Sequence, residues 1–160
     1  MMEHTNGMNI DERMAREPEF FSNHRNTEKM LRQLLKALKV LHEHNIAYLD
    51  LKPENVMLTQ ISNDVRLVDL GGCFTDHNDY TAERTRPFAS PELSNNDLEK
   101  VDARTDIYGI GKLLQYIEEE SGTPLPKHLS LIKERCLNED KKKRFENTDE
   151  IEKVLKRRNR

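Results

Sequence analysis

One eight-residue block limits how this chain can fold. Tyr48-Leu49-Asp50-Leu51-Lys52-Pro53-Glu54-Asn55 sets three chemically active side chains, Asp50, Lys52 and Asn55, within six residues. Before it, Leu31, Leu34, Leu35, Leu38 and Leu41 recur at three- and four-residue steps, which predicts one amphipathic helix over 27–44. After it come two short strand-like runs, Val56-Met57-Leu58 and Val65-Arg66-Leu67-Val68, with Ser62-Asn63-Asp64 as the turn between them. A hairpin there brings Asn55 and Asp69, fourteen residues apart, to the same open end. The block is thus expected to lie between a helix and a hairpin, with its polar groups converging on Asp69.

The rest reads as helices joined by loops. Asn26 is expected to cap the first helix, with Glu28 in its first turn. Met2 to Ile10 reads as an extended piece and a turn, with Asn6-Gly7 as the turn signal. Residues 70–92 read as a loop. Ile107, Ile110, Leu113, Leu114 and Ile117 predict a helix over 105–120, capped by Thr105. Gly109 and Gly111 weaken it by about 1 kcal/mol each relative to Ala, a cost that close packing would explain. Gly122-Thr123-Pro124-Leu125-Pro126 breaks it. Two more helices follow, over 127–138 with Leu129, Ile132, Cys136 and Leu137 inward, and over 148–157 with Ile151, Val154 and Leu155 inward. The expected fold is mainly α with a small β-hairpin, in a single domain of 160 residues.

Composition narrows the function. The net charge of −3 with interspersed acids and bases gives no case for nucleic-acid binding. No apolar run approaches the length of a membrane span, and Met1-Met2-Glu3-His4 is no secretory leader, so a cytoplasmic protein with Cys73 and Cys136 reduced is expected. His42-Glu43-His44 hints at metal binding, but residues two apart on a helix do not face each other, and a solvated helix end is expected.

An Asp, a Lys, an Asn and a second Asp in this order suit phosphoryl transfer. That chemistry needs a base for the acceptor hydroxyl, a cation near the moving phosphate and oxygen ligands for Mg²⁺. The block resembles the catalytic loop of protein kinases, and Asp69-Leu70-Gly71 resembles their metal motif. Thr85-Arg86-Pro87-Phe88-Ala89-Ser90-Pro91-Glu92 resembles the end of an activation segment spanning 69–92. Thr105-Asp106-Ile107-Tyr108-Gly109-Ile110-Gly111 resembles the central helix of the family's lower lobe. The resemblance implies a fold like the C-terminal lobe of a protein kinase, without the N-terminal β lobe, and the cofactors ATP and Mg²⁺. It implies Asp50 as base, Lys52 beside the transferring phosphate, and Asn55 and Asp69 as the Mg²⁺ ligands. Residues 1–10 resemble the hinge, so the backbone of Glu3 and Thr5 would face adenine, with Asn9 near the ribose and Met57 also at the nucleotide. Thr85 would bond the catalytic Asp and Lys, Asp106 would anchor the loop backbone, and Arg144 would pair with Glu92. Lys at position 52 resembles the serine/threonine class, and the partner would be a protein substrate.

The chain also departs from the family. Tyr48 and Leu49 stand where the family has His and Arg, so a phosphorylated loop has no Arg to gather it. The short connection over 118–127 leaves out a helix that helps dock substrates. No glycine-rich loop, strand Lys or helix Glu precedes residue 1. A truncated gene, an upper lobe supplied by a partner, or a pseudokinase-like interaction module with a vestigial site each fit this. An exposed apolar strip beside Met2, Ile10, Met57 and Val68 is expected for a partner or for homo-association.

Overall fold

Helix α2, His24–Glu43, is the strut on which the other elements pack, because it buries Thr27, Met30, Leu31, Leu34, Leu35 and Leu38 along one face. The computed structural model describes residues 6–68, 88–95 and 100–157. Before α2 come strand β1, Gly7–Asn9, helix α1, Ile10–Arg16, and a 3₁₀ turn at Phe20–Ser22. After it come a 3₁₀ turn at Pro53–Asn55, strands β2, Val56–Thr59, and β3, Val65–Leu67, and the single helical turn α3, Pro91–Ser94. Helices α4, Ala103–Ser121, α5, Lys127–Cys136, and α6, Thr148–Arg157, complete the described fold. The core gathers the α2 leucines with Ile107, Ile110, Leu113, Leu114 and Ile117 of α4, Leu129 and Ile132 of α5, and Ile151 and Leu155 of α6. No helix among the described residues is long and apolar enough to cross a membrane.

The hairpin forms as expected, with Val56 opposite Leu67 and Leu58 opposite Val65. Its turn is built by Asn63, which takes the left-handed conformation at φ 54° and donates its N–H to Thr59 O at 3.0 Å. The sheet has a third strand that the sequence hid. β1 pairs antiparallel with β2, Gly7 opposite Thr59 and Asn9 opposite Met57. Asn6-Gly7 is therefore not a turn. A Cβ at Gly7 would stand 2.3 Å from Leu58 O, so glycine is needed here for close backbone approach.

Two helices, α2 and α4, start earlier than expected. Each cap lies three residues earlier than expected. Asn23, after the 3₁₀ turn, caps α2 by accepting from Arg25 N at 3.1 Å. Asn26 sits inside the helix and donates to Phe20 O at 2.7 Å. Asp102 caps α4 by accepting from Arg104 N at 2.8 Å, and Thr105, three residues in, accepts from Asp102 N at 3.2 Å to complete a capping box. Helix α1 follows directly on the segment expected to be an extended piece and a turn. Asn9 starts it with a capping box to Glu12, at 2.8 and 3.1 Å. The segment read as loop to residue 92 turns helical at Pro91, where Ser90 accepts from Leu93 N at 3.4 Å. Helix α5 ends at Cys136, two residues earlier than expected, while α6 spans 148–157 as read.

Gly109 and Gly111 are explained by packing. A Cβ at Gly109 would lie 3.1 Å from the Leu51 side chain, and one at Gly111 only 2.8 Å from Cys136 and Leu137. Helix α4 thus presses on the polar block with one glycine and on the end of α5 with the other.

Candidate active site

The loop over 48–55 rests on α4. Asp106, 1% exposed, accepts the backbone N–H of Tyr48 and of Leu49, each at 2.8 Å, and the ring N–H of His42 at 2.7 Å. A buried carboxylate with three donors is stable where an unpartnered one would not be. His42 is therefore not on a solvated helix end as the sequence suggested. It turns inward from α2 and joins α2, α4 and the loop. Among the described residues no group of three His, Cys, Asp or Glu is placed to hold a metal. Leu49 has φ 63°, a left-handed backbone that costs a branched residue about 1–2 kcal/mol. The Asp106 bond to its N–H and its packing with Ala47, Val101 and Leu93 hold it there. No glycine marks the position, so this conformation is not legible in the sequence.

Tyr48 is fully buried, and its hydroxyl donates to Val68 O. Val68 N donates to Asn55 O at 3.1 Å. The tyrosine and Asn55 thus both fasten the residue that leads into Asp69. Asp69, with Leu70, Gly71 and Thr85, lies outside the described residues, as do Glu3 and Thr5. Asn55, 7% exposed, donates its amide N–H groups to Asp50 O at 2.9 Å and to Asp50 Oδ2 at 3.0 Å. With its nitrogen engaged, Asn55 keeps its carbonyl oxygen, a hard donor of the kind Mg²⁺ takes. Lys52 Nζ lies 3.8 Å from Asp50 Oδ1 and 3.9 Å from Glu54 Oε2. Asp50, Lys52 and Asn55 are thus brought together. Asn9 and Met57 face each other across β1 and β2, while the Asn9 side chain also caps α1.

The second assembly is the pair of Glu92 and Arg144. Arg144 donates Nη1 to Glu92 Oε1 at 2.7 Å and Nη2 to Oε2 at 3.0 Å, a bidentate fork with both side chains almost wholly buried. Its remaining N–H groups reach Asn138 O at 2.8 Å and Arg104 O at 3.1 Å, and its guanidinium lies over the Tyr108 ring at 4.8 Å. Thr105 adds a hydroxyl to Glu92 Oε1 at 3.0 Å. Burial works to raise the Glu92 carboxyl, but the hydrogen bonds from Arg144, its own backbone and Thr105 outweigh it and hold it below the usual carboxylate range.

A third group was missed. The Tyr116 hydroxyl of α4 donates to Asp11 of α1. Glu54 shares a hydrogen bond with Asp11, and burial and that contact together push Glu54 above the ordinary carboxylate range against the pull of Lys52. Burial first, then Asp11, likewise keeps the Tyr116 phenol protonated. These residues are far apart in sequence and no local motif joins them. One expected feature is corrected. Ile10 is fully buried in the core and cannot line an exposed apolar strip, because the Asn9 cap turns α1 inward immediately after the strand. Met57 and Val68 are half-buried, and Met2 lies outside the described residues.

The sequence matches the model of the protein kinase domain over residues 1–157. It is 28% identical over 118 residues to serine/threonine-protein kinase 17A of Oryctolagus cuniculus, covering 71% of this chain and 29% of that protein. It is 38% identical over 104 residues to cyclin-dependent kinase-like 2 of Rattus norvegicus, covering 61% and 19%. It is 28% identical over 104 residues to a probable inactive serine/threonine-protein kinase of Dictyostelium discoideum, covering 64% and 5%. The chain spans less than a third of the length of each of these relatives. The helical fold, the three-stranded sheet and the family match agree: this chain belongs to the protein kinase family.

Proposed function

We propose that the chain carries the catalytic lobe of a serine/threonine protein kinase, which moves the γ-phosphate of ATP to a protein hydroxyl. The observation that carries this reading is the hold on Asp50. Asn55 fixes both its backbone and its carboxylate, and Asp106 fixes the two residues before it. A preorganised carboxylate is what a base for an acceptor hydroxyl requires. Asp50 would orient that hydroxyl and take its proton as the oxygen bonds to phosphorus and the bond to the leaving diphosphate breaks. Lys52 would offset the charge of the phosphate in transit. Asn55 and Asp69 would hold Mg²⁺, which when bound supplies charge neutralisation across the phosphates. The backbone of Glu3 and Thr5, with Asn9 and Met57, would receive the nucleoside, and Thr85 would brace Asp50 and Lys52. Tyr48 takes the place of the family's His by tying the loop to Val68.

A pseudokinase-like interaction module is the second reading. It is favoured by Leu49 in place of the family's Arg and by the relative named as probably inactive. Thermal shift with Mg²⁺-ATP separates the two. A nucleotide at one hundred times its Kd raises stability by about 2.7 kcal/mol. The catalytic reading expects a metal-dependent rise in melting temperature that Asp69→Asn removes. A full-length protein that shows no such rise contradicts it.

A further inference from the structure

The outer face of α2 carries a row of charge that the proposed chemistry does not use. Arg25, Lys29, Arg32 and Lys36 follow at four-, three- and four-residue steps, so they stand in one line along the helix. Arg25, Lys29 and Lys36 are exposed and Arg32 is half-buried. With Glu28 and Gln33 they line a furrow of about 340 Å³. Residues 25, 29 and 33 form one ridge of the helix and 28, 32 and 36 the next, and the furrow is the groove between them.

Both ridges are tied down. Lys29 donates to Ser62 O, and Gln33 donates to Asp64 at 2.9 Å and accepts from Val65 N at 2.6 Å, which fastens the first ridge to the hairpin. Arg32 donates to Leu155 O at 3.2 Å and Glu28 meets His128, which fastens the second to α6 and α5. Carbonyl oxygens orient Lys29 and Arg32 without cancelling their charge. The two acids beside the row are already engaged, Glu28 by His128 and Asp64 by Ser62 and Gln33. Arg66 of the hairpin adds a further cation, which acts on Asp64 together with Lys29. This face is therefore basic in a chain whose net charge is −3. Ile61, 97% exposed, stands on the hairpin turn beside Ser62, the residue that Lys29 reaches.

We propose that this furrow docks an acidic segment of a protein partner, whose carboxylates pair with the row and whose apolar residue meets Ile61. From Arg25 to Lys36 the row runs about 16 Å by helical rise, the reach of about five residues of extended chain. A segment of that length places a carboxylate at each end of the row. An anionic membrane is a poorer fit, because it takes several apolar side chains on one face and the turn offers one. A nucleic acid is opposed by the net negative charge. The proposal concerns recruitment alone and holds for a catalytic lobe and for an interaction module.

Fluorescence anisotropy on the full-length protein tests it, with a labelled Glu- and Asp-rich peptide that carries one Leu. The peptide should bind, its Gln and Asn counterpart should not, and added salt should weaken the complex by screening. Arg25→Glu/Lys36→Glu should weaken binding about tenfold or more. Arg25→Gln/Lys36→Gln, which removes charge at the same exposed positions without reversing it, should weaken binding about threefold. Lys142→Glu/Lys143→Glu changes the net charge as much as the first variant, at exposed positions outside the furrow, and should leave the affinity unchanged. Equal losses in the two charge-reversed variants mean that the peptide reads net charge only, and overturn the proposal. So does a wild-type protein that fails to bind the peptide. Phosphatidylserine vesicles or a single-stranded oligonucleotide that bind more tightly than the peptide, and lose affinity in Arg25→Glu/Lys36→Glu, overturn the choice of a protein segment. The readout is binding, so a wild-type protein without phosphotransfer overturns the catalytic reading and leaves this one standing.

Discussion

Arg144 and Lys52 are both cations facing carboxylates, and the protein treats them in opposite ways. Arg144 is fully buried, its fork is closed on Glu92 at 2.7 and 3.0 Å, and its other N–H groups reach backbone carbonyls. Lys52 is about a quarter exposed and stands 3.8 and 3.9 Å from its two carboxylates, farther than a hydrogen bond. A closed, dry pair fixes two distant segments, here the helical turn α3 and the chain before α6, and has no capacity left for a ligand. An open, wet pair leaves the cation able to meet a phosphate. The family's architecture is carried by the first kind of contact and its proposed chemistry by the second.

Mutation should separate the two roles. Arg144→Ala leaves Glu92 buried without its partner, and breaking such a pair costs about 3–5 kcal/mol, measurable by chemical denaturation. Lys52→Ala should change stability by less than about 1 kcal/mol in the same assay while removing phosphotransfer. Asp106→Ala lies between these roles. It orphans the N–H groups of Tyr48 and Leu49 and should lose about 2–4 kcal/mol, with the left-handed Leu49 relaxing and phosphotransfer falling too. Gly111→Ala should lose about 1–3 kcal/mol through overlap with Cys136 and Leu137, a test of whether α4 and α5 can part.

Acid should act through the closed pair. Glu92 has a folded pKa below its unfolded value of about 4.3, so its stabilisation is present above that pH. It is lost as pH falls through the lower, folded value. Glu118 behaves alike, its carboxyl lowered first by the Lys133 hydrogen bond and then by the Leu125 N–H. Melting temperature should therefore drop below about pH 4, and Glu92→Gln should flatten that slope. The smallest effect belongs to Lys39→Ala, whose partner Asp149 is as exposed as Lys39 itself, and its melting temperature should match the wild type.

Much of this was legible in the chain because the signals were local. The leucine stripe of α2 and the matching stripe of α4 fix two helices, and the alternation at 56–58 and 65–67 fixes the hairpin. The Glu92–Arg144 pair followed from family resemblance and is present at hydrogen-bonding distance. What escaped depends on partners remote in sequence. β1 is three residues long and is defined only by β2, and Gly7 reads as a turn residue until Leu58 O is seen against it. α1 is seven residues long and buries only Ile10 and Arg13, too short a stripe to show a period, although Asn9 and Glu12 carried a capping-box signal. His42 looked solvated because Asp106 is 64 residues away. Tyr116, Asp11 and Glu54 come from three separate elements, and nothing in the local pattern of any one of them points to the others.

The most direct test of the account is transfer of phosphate by the full-length protein to a serine- or threonine-containing substrate, compared with its Asp50→Asn variant. Asparagine keeps the size of Asp50 and the bond from Asn55 to its backbone, so the loop should stay in place. The account predicts phosphotransfer in the wild type and a loss of about 10²–10⁴-fold in the variant, with melting temperatures alike. Equal rates in the two proteins would contradict it.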